Sequence, residues 1–386
     1  MKKFEKCNST FIAVCLLVVF FLATASPGLG AGPDEEKLLN RLKGELADPD
    51  TTMGKLLDRF DFGLLIEAGA VYRDENAAGE DESDIALTTV ELGIEAMINA
   101  WVNGEVVFLF EDPTFDDADS SFDVDVGTIT VGNTEQFPLY ATIGKFYVPY
   151  GALLTHFPDD PLIDSPVTLT FGEISQKALM AGFEMSGFNL SAYIFNGEVE
   201  ETGDDENQID SFGADAHYSY ESEPNELALM IGASYLSNLA DTDGISDALP
   251  TDKLEDLVAG WAAYFSSRWG MFFLDAEYMA ALDNFDATEL AAKNGEGAEP
   301  AVWNIEAGFN YNWWRNLEVA FKYAGSDEAE GLEIPETRFG VALNQEIFDN
   351  TILSVGYLND KFADDILDNG TDDKRQTVFS QIAIEF

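Results

Sequence analysis

The chain has 386 residues, with 72 acidic against 20 basic side chains and a formal net charge of −52, yet 46% of it is hydrophobic and 12% aromatic. That charge as a whole should repel nucleic acid and anionic surfaces, and the apolar and aromatic content lies far above that of a disordered chain. A barrel in an outer membrane reconciles the two, with apolar side chains toward lipid and acids in the lumen and outer loops.

The first residues carry Lys2, Lys3 and Lys6, followed by an apolar run over 11–23 and the small-residue stretch Thr24-Ala25-Ser26-Pro27-Gly28. This is the three-part pattern of a secretory signal peptide, predicted over 1–25 with cleavage as late as 31. Both cysteines, Cys7 and Cys15, fall in the removed part, so neither disulfides nor thiol chemistry are expected. Residues 26–59 read as a periplasmic extension. Within it, 34–47 read as a short amphipathic helix with Leu38, Leu39, Leu42 and Leu46 on one side, marginal alone, or as a solvated spacer ending at Asp48-Pro49.

From residue 60 to 386 the sequence predicts an all-β fold, a 16-stranded antiparallel transmembrane barrel. Segments with two-residue periodicity fall at 60–73, 85–99, 101–111, 122–131, 139–148, 176–185, 188–196, 212–221, 226–238, 257–267, 271–283, 303–313, 317–325, 337–348, 351–362 and 375–386. The first sets Phe62, Leu64, Ile66 and Tyr72 against Asp61, Glu67 and Arg73. Short links alternate with long, mostly acidic ones, and both ends of the chain fall on the short-link side. This is the rhythm of bacterial outer-membrane barrels with short periplasmic turns, and sixteen strands leave an interior wide enough for water.

Trp101, Trp269, Trp313 and Trp314 fall at short turns and Trp303 at the opposite end of a strand. Amphipathic rings at those levels predict membrane girdles; Trp261, in mid-strand, does not fit. The closing segment RQTVFSQIAIEF alternates and ends in Phe386, resembling the signal read by the outer-membrane assembly machinery.

Chemistry is sparse. The two histidines are His156 and His217, the latter inward and two residues from Asp215. No Cys or His cluster has zinc spacing and no glycine-rich phosphate loop follows a strand, so neither an enzyme nor a cofactor is expected. The connection over 149–175 (PYGALLTHFPDDPLIDSPVTLTFGEIS) differs from the others in being apolar and proline-rich. It is expected either to fold into the barrel as a constriction or to pack over the rim. As a constriction it brings His156, Asp159, Asp160 and Asp164 opposite wall bases Lys145, Lys322 and Arg338. Glu67, Glu91, Glu95, Asp123, Asp125, Asp275, Glu277 and Glu306 are the expected lumen acids, with Glu105 and Glu318 on the same face. Acids in a confined path favour cations.

Four segments then carry a family resemblance: 68–115 (AGAVYRDENAAGEDESDIALTTVELGIEAMINAWVNGEVVFLFEDPTF), 123–173 with its run Gly144-Lys145-Phe146-Tyr147-Val148-Pro149-Tyr150-Gly151, 322–349 (KYAGSDEAEGLEIPETRFGVALNQEIFD), and the closing QIAIEF. Together they resemble the LbtU-type siderophore porins. The resemblance implies an outer-membrane protein of a Gram-negative bacterium that takes up ferric siderophores without a plug and TonB machinery. It supplies no ligand residues. The residues support equally a general cation-preferring diffusion porin. Expected partners are outer-membrane lipids, the barrel-assembly machinery, a small solute such as a ferric siderophore, and further copies of the chain in a homo-oligomer.

Overall fold

The computed structural model describes residues 59–74, 81–112, 120–155, 157–158, 160–203, 208–312, 314–363 and 374–386. The expected signal peptide and the expected N-terminal helix fall outside the described residues, as do His156, Asp159 and Trp313.

Strands follow one another in the order β1 (Phe60–Asp74), β2 (Asp81–Asn99), β3 (Val102–Glu111), β4 (Ser121–Asn133), β5 (Phe137–Tyr147), β6 (Ser175–Met185) and β7 (Phe188–Phe195). After the two-residue β8 (Glu200–Glu201) come β9 (Ser211–Ser222) and β10 (Leu227–Leu236), and after the equally short β11 (Lys253–Leu254) come β12 (Gly260–Trp269) and β13 (Phe272–Ala281). The series ends with β14 (Ala301–Asn312), β15 (Asn316–Asp327), β16 (Thr337–Phe348), β17 (Thr351–Lys361) and β18 (Lys374–Glu385). Sixteen of them form one closed antiparallel barrel, each pairing with its neighbour in the chain, while β8 and β11 pair outside it. The seam closes where β1 meets β18, with Ile66 opposite Ile384. The Phe386 main chain continues that ladder, donating to Leu64 O at 3.0 Å and accepting from Leu64 N at 2.7 Å.

Alternation explains why these segments are strands. In β17, Leu353, Val355 and Tyr357 are exposed on the outside, while Ser354, Gly356, Leu358 and Asp360 are buried within. The exposed row continues around the barrel through Ile143, Leu179, Ile194, Ile231, Phe321 and Phe339, an apolar belt suited to lipid. Most strands start within two residues of the expected position, and the larger departures are β2, which begins at Asp81, and β12, which begins at Gly260. The later start of β12 accounts for Trp261. It stands at the long-loop end, its ring 5.4 Å from Tyr278, level with Trp303, which pairs with Tyr278 across strands.

The segment between β5 and β6 does fold into the barrel. It carries the short helix α1 (Val167–Gly172), which packs against β13, β14 and a second short helix, α2 (Asp243–Ser246). Two apolar clusters hold it. Leu162 meets Phe273, Ala320, Ala342, Leu358 and Phe379 of the wall. Tyr150, Phe171 and Ile174 join Leu239, Ile245, Leu254, Phe285 and Leu290 from other long connections. Those connections are therefore not the plain polar surface that their acids suggest. Their aliphatic side chains face inward onto one another, and Asp241 is buried with them.

Candidate pore constriction

The inserted segment is fastened to one wall of the barrel by buried polar contacts. At its root, Gly151 N donates to Ser234 Oγ at 3.0 Å and Ala152 N to Glu277 Oε1 at 2.5 Å. Gly151 has φ +82°, and a Cβ there would run into Glu277 and Met279. Ser234 Oγ in turn donates to Asp215 Oδ2 at 2.8 Å, Tyr264 donates to the same oxygen at 2.6 Å, and His217 Nδ1 lies 2.8 Å from Asp215 Oδ1. Asp215 is the hub of this group. The serine meets the carboxylate rather than the imidazole, which is not the order that activates a serine nucleophile.

Deeper, Asp164 is the anchor. Its carboxylate accepts from Lys322 Nζ at 2.9 Å and from Arg338 Nη1 at 3.0 Å. Lys322 also reaches Glu306 Oε1 at 3.0 Å. Arg338 makes a two-pronged bond to Asp360, at 2.7 and 2.9 Å, and Arg375 approaches the same carboxylate at 3.3 Å. The chain of alternating charges thus runs Glu306, Lys322, Asp164, Arg338, Asp360, Arg375 across β14 to β18. Asn344 donates to Pro161 O and, at 2.9 Å, to Glu318. The tip reaches the short-turn end, where Pro158 lines a cavity of 290 Å³ with Asn350, Ile352, Ala383, Glu385 and Phe386.

Of the expected constriction set, Asp164, Lys322 and Arg338 meet. Asp160 instead accepts from the Thr155 main chain and hydroxyl within the segment itself. Lys145 is not a lumen base. It shares the outward parity of Leu139 and Ile143 and pairs directly with Lys177 on the outer face. The physical reason is register: Phe146 and Val148, its neighbours, are the ones buried inside.

The expected lumen acids divide into three groups. Glu67, Asp275, Glu277 and Glu306 are buried and bonded, to Gln381, to Ser266 and Arg268, to Ala152 N, and to Lys322 and Asn304 respectively. Asp123 and Asp125 sit at the long-loop rim, where a bulge in β4 interrupts the alternation; they bond Lys145 at 3.0 Å and the Tyr147 hydroxyl at 2.7 Å. Glu95 and Glu105 are exposed directly opposite one another on β2 and β3, and Glu91 is half-buried on β2. Trp101, Trp269 and Trp314 are exposed at short turns and Trp303 lies at the other end. Sequence reasoning missed Ser234, Asn344, Asp360 and Arg375. Their inward parity was readable, but which inward residues the inserted segment would touch was not.

A closed sixteen-strand antiparallel barrel is a fold shared with solved outer-membrane porins. Solved structures share it: the anion-selective porin of Comamonas acidovorans (TM-score 0.59, 13% identity, 85% of this chain and 99% of that one) and the outer-membrane channel DcaP of Acinetobacter baumannii (0.56, 14%, 85% and 97%). OprB of Pseudomonas putida does so too (0.57, 13%, 87% and 96%). At such identities the likeness is one of fold.

Among curated proteins, the chain is 27% identical over 288 residues to a UPF0422 protein of Coxiella burnetii, covering 73% of this chain and 60% of that protein. It is 22% identical over 313 residues to a UPF0422 protein of Legionella pneumophila strain Paris, covering 76% and 57%. The chain thus spans about 60% of the length of the curated relatives it matches. No protein-family model matches it.

Proposed function

We propose that this protein is an outer-membrane diffusion porin that favours cationic and neutral solutes, with ferric siderophores as the solute class suggested by the sequence resemblance. The observation that carries the reading is the unequal treatment of charge inside the barrel. Lys322 is buried and Arg338 nearly so, each in ion pairs, while Glu95 and Glu105 remain exposed on β2 and β3. A solute passing between the inserted segment and that wall meets unmatched negative charge, which concentrates cations in a confined path.

Planar-bilayer recording of the purified protein in a KCl gradient tests this. The reversal potential is expected to favour potassium, and Glu95→Gln with Glu105→Gln to bring it close to zero. A potential favouring chloride refutes the reading. Titration with ferric siderophores of differing charge tests the finer part: saturable block by one of them supports siderophore passage, and none confines the protein to general diffusion.

A further inference from the structure

The wall on which Lys145 lies carries a second site, on the outside of the barrel. A groove of 930 Å³ crosses the long-loop ends of β4 to β7, with Lys145, Lys177 and the acid Asp123 on it above Ile143, Leu179 and Ile194. The geometry points to a binding site for a phosphorylated, multiply acylated lipid of the outer leaflet, its phosphate between the two lysines and its acyl chains over the aliphatic floor.

Both lysines belong to the lipid-facing row. Lys145 continues Leu139 and Ile143, and Lys177 continues Leu179, each exposed and apolar. They pair directly across β5 and β6. Like charges so placed destabilise a sheet, and in a chain with 20 bases against 72 acids their pairing needs a cause. Lys145 is partly neutralised, donating to Asp123 at 3.0 Å and to Val124 O at 3.0 Å. Lys177 forms no ion pair among the described residues. A phosphate between them satisfies both ammonium groups.

Depth agrees. Eight residues separate Phe137, at the short turn, from Lys145; at about 3.3 Å per residue and a tilt of about 40° this is roughly 20 Å along the membrane normal. That places the lysines near the far edge of an apolar band of about 25 Å, at headgroup level. Below them the floor is aliphatic, and Ile209 flanks it from the next long connection. A soluble anion has no use for that floor. A second copy of this chain meeting the groove about a two-fold axis would set lysines against lysines. Charge complementarity therefore selects a lipid. A second opposed pair, Lys361 and Lys374 at the ends of β17 and β18, provides an internal contrast: Lys361 is bonded to Glu336 at 2.6 Å.

The site rests on the membrane placement proposed above, and the two are separable, because failure of the full chain to enter nanodiscs refutes placement before any lipid is counted. In phosphatidylcholine nanodiscs seeded with bisphosphorylated hexa-acyl lipid A, native mass spectrometry of the wild-type protein is expected to retain the seeded lipid. Lys145→Gln with Lys177→Gln should weaken retention by roughly tenfold or more, the loss of charge-assisted bonds to phosphate. Lys361→Gln should not, and Lys145→Arg with Lys177→Arg should restore it. Heat-dependent gel migration establishes that each variant is folded. The proposal is overturned if the double Gln variant retains the lipid equally, if dephosphorylated lipid A is held as well, if millimolar inorganic phosphate displaces the lipid, or if a second copy of the chain fills the groove.

Discussion

The wall from β13 to β18 and the wall formed by β2 and β3 present the same kind of inward side chain and treat it in opposite ways. On the first, Glu306, Lys322, Asp360 and Arg338 are shut away beneath the inserted segment, each with an opposite charge in contact. On the second, Glu95 faces Glu105 across the ladder, and neither forms an ion pair among the described residues. An inward carboxylate thus has no fixed role in a barrel. Under the segment it is a fastening, because a buried charge is tolerable only when paired. Beside open water it is a source of field. One folded connection decides which, and the lumen becomes a packed half and an open half.

Removing the cover makes the largest change. Deleting 157–165 with a short Gly-Ser closure takes away Asp164 and Leu162 together, and thus both the ionic and the apolar fastening of that stretch. Single-channel conductance is expected to rise severalfold, toward that of an unobstructed sixteen-strand barrel. Lys322 and Arg338 become accessible, so cation preference should fall as conductance rises. Unchanged conductance means that the path does not run past the segment.

A smaller change separates fastening from field. Asp164→Asn leaves Lys322 with Glu306 and Arg338 with Asp360, so the loss is one charged hydrogen-bond acceptor for each base. It should weaken attachment of the segment by about 1–3 kcal/mol, read as brief conductance steps and faster proteolysis within the segment. Selectivity should stay close to wild type, since no open-face acid is touched. A selectivity change as large as that of Glu95→Gln with Glu105→Gln erases the distinction between the halves.

Much of this frame was legible in the sequence, because a strand writes its faces into alternate residues. Seven short links, eight long ones and the closing Phe386 lead directly to a barrel and its seam. The inserted segment was singled out because Leu153, Leu162 and Ile163 have no place on a polar tip. What alternation does not encode is depth and cover. Asp160 and Asp164 have the same chemistry four residues apart, yet one turns back to Thr155 and the other crosses to Arg338. The outward placement of Lys145 was in principle readable, two positions beyond Ile143, but a basic residue in an acidic chain invites an inward reading. Trp261 was obscured by a strand boundary three residues too early.

The finest test concerns the boundary between packed loops and water. Glu173, beside α1, is pushed up to about 7, by burial first and then by Asp243 and other acids nearby. Asp243 is pushed up to about 6 by burial and by Glu198 and Asp247, and Asp241 to about 6 by burial, against hydrogen bonds that pull it down. Asp243 N also donates to Glu173 O at 2.9 Å, so α1 and α2 meet where these acids crowd. Each carboxyl binds its proton more tightly in the packed cap than in an opened one, where ordinary values near 4 apply. Packing of the cap is therefore strongest below about 4, and weakens as pH rises through about 6 to 7. Amide exchange at Ile245 and Ser246, corrected for intrinsic rates, is expected to show roughly tenfold greater protection at pH 5 than at pH 8, and Glu173→Gln to remove much of that difference. The β17 amides, in the barrel wall, should show no such dependence. Protection that grows with pH would mean that these acids are held ionised, and that the packed half of the molecule ends below the cap rather than within it.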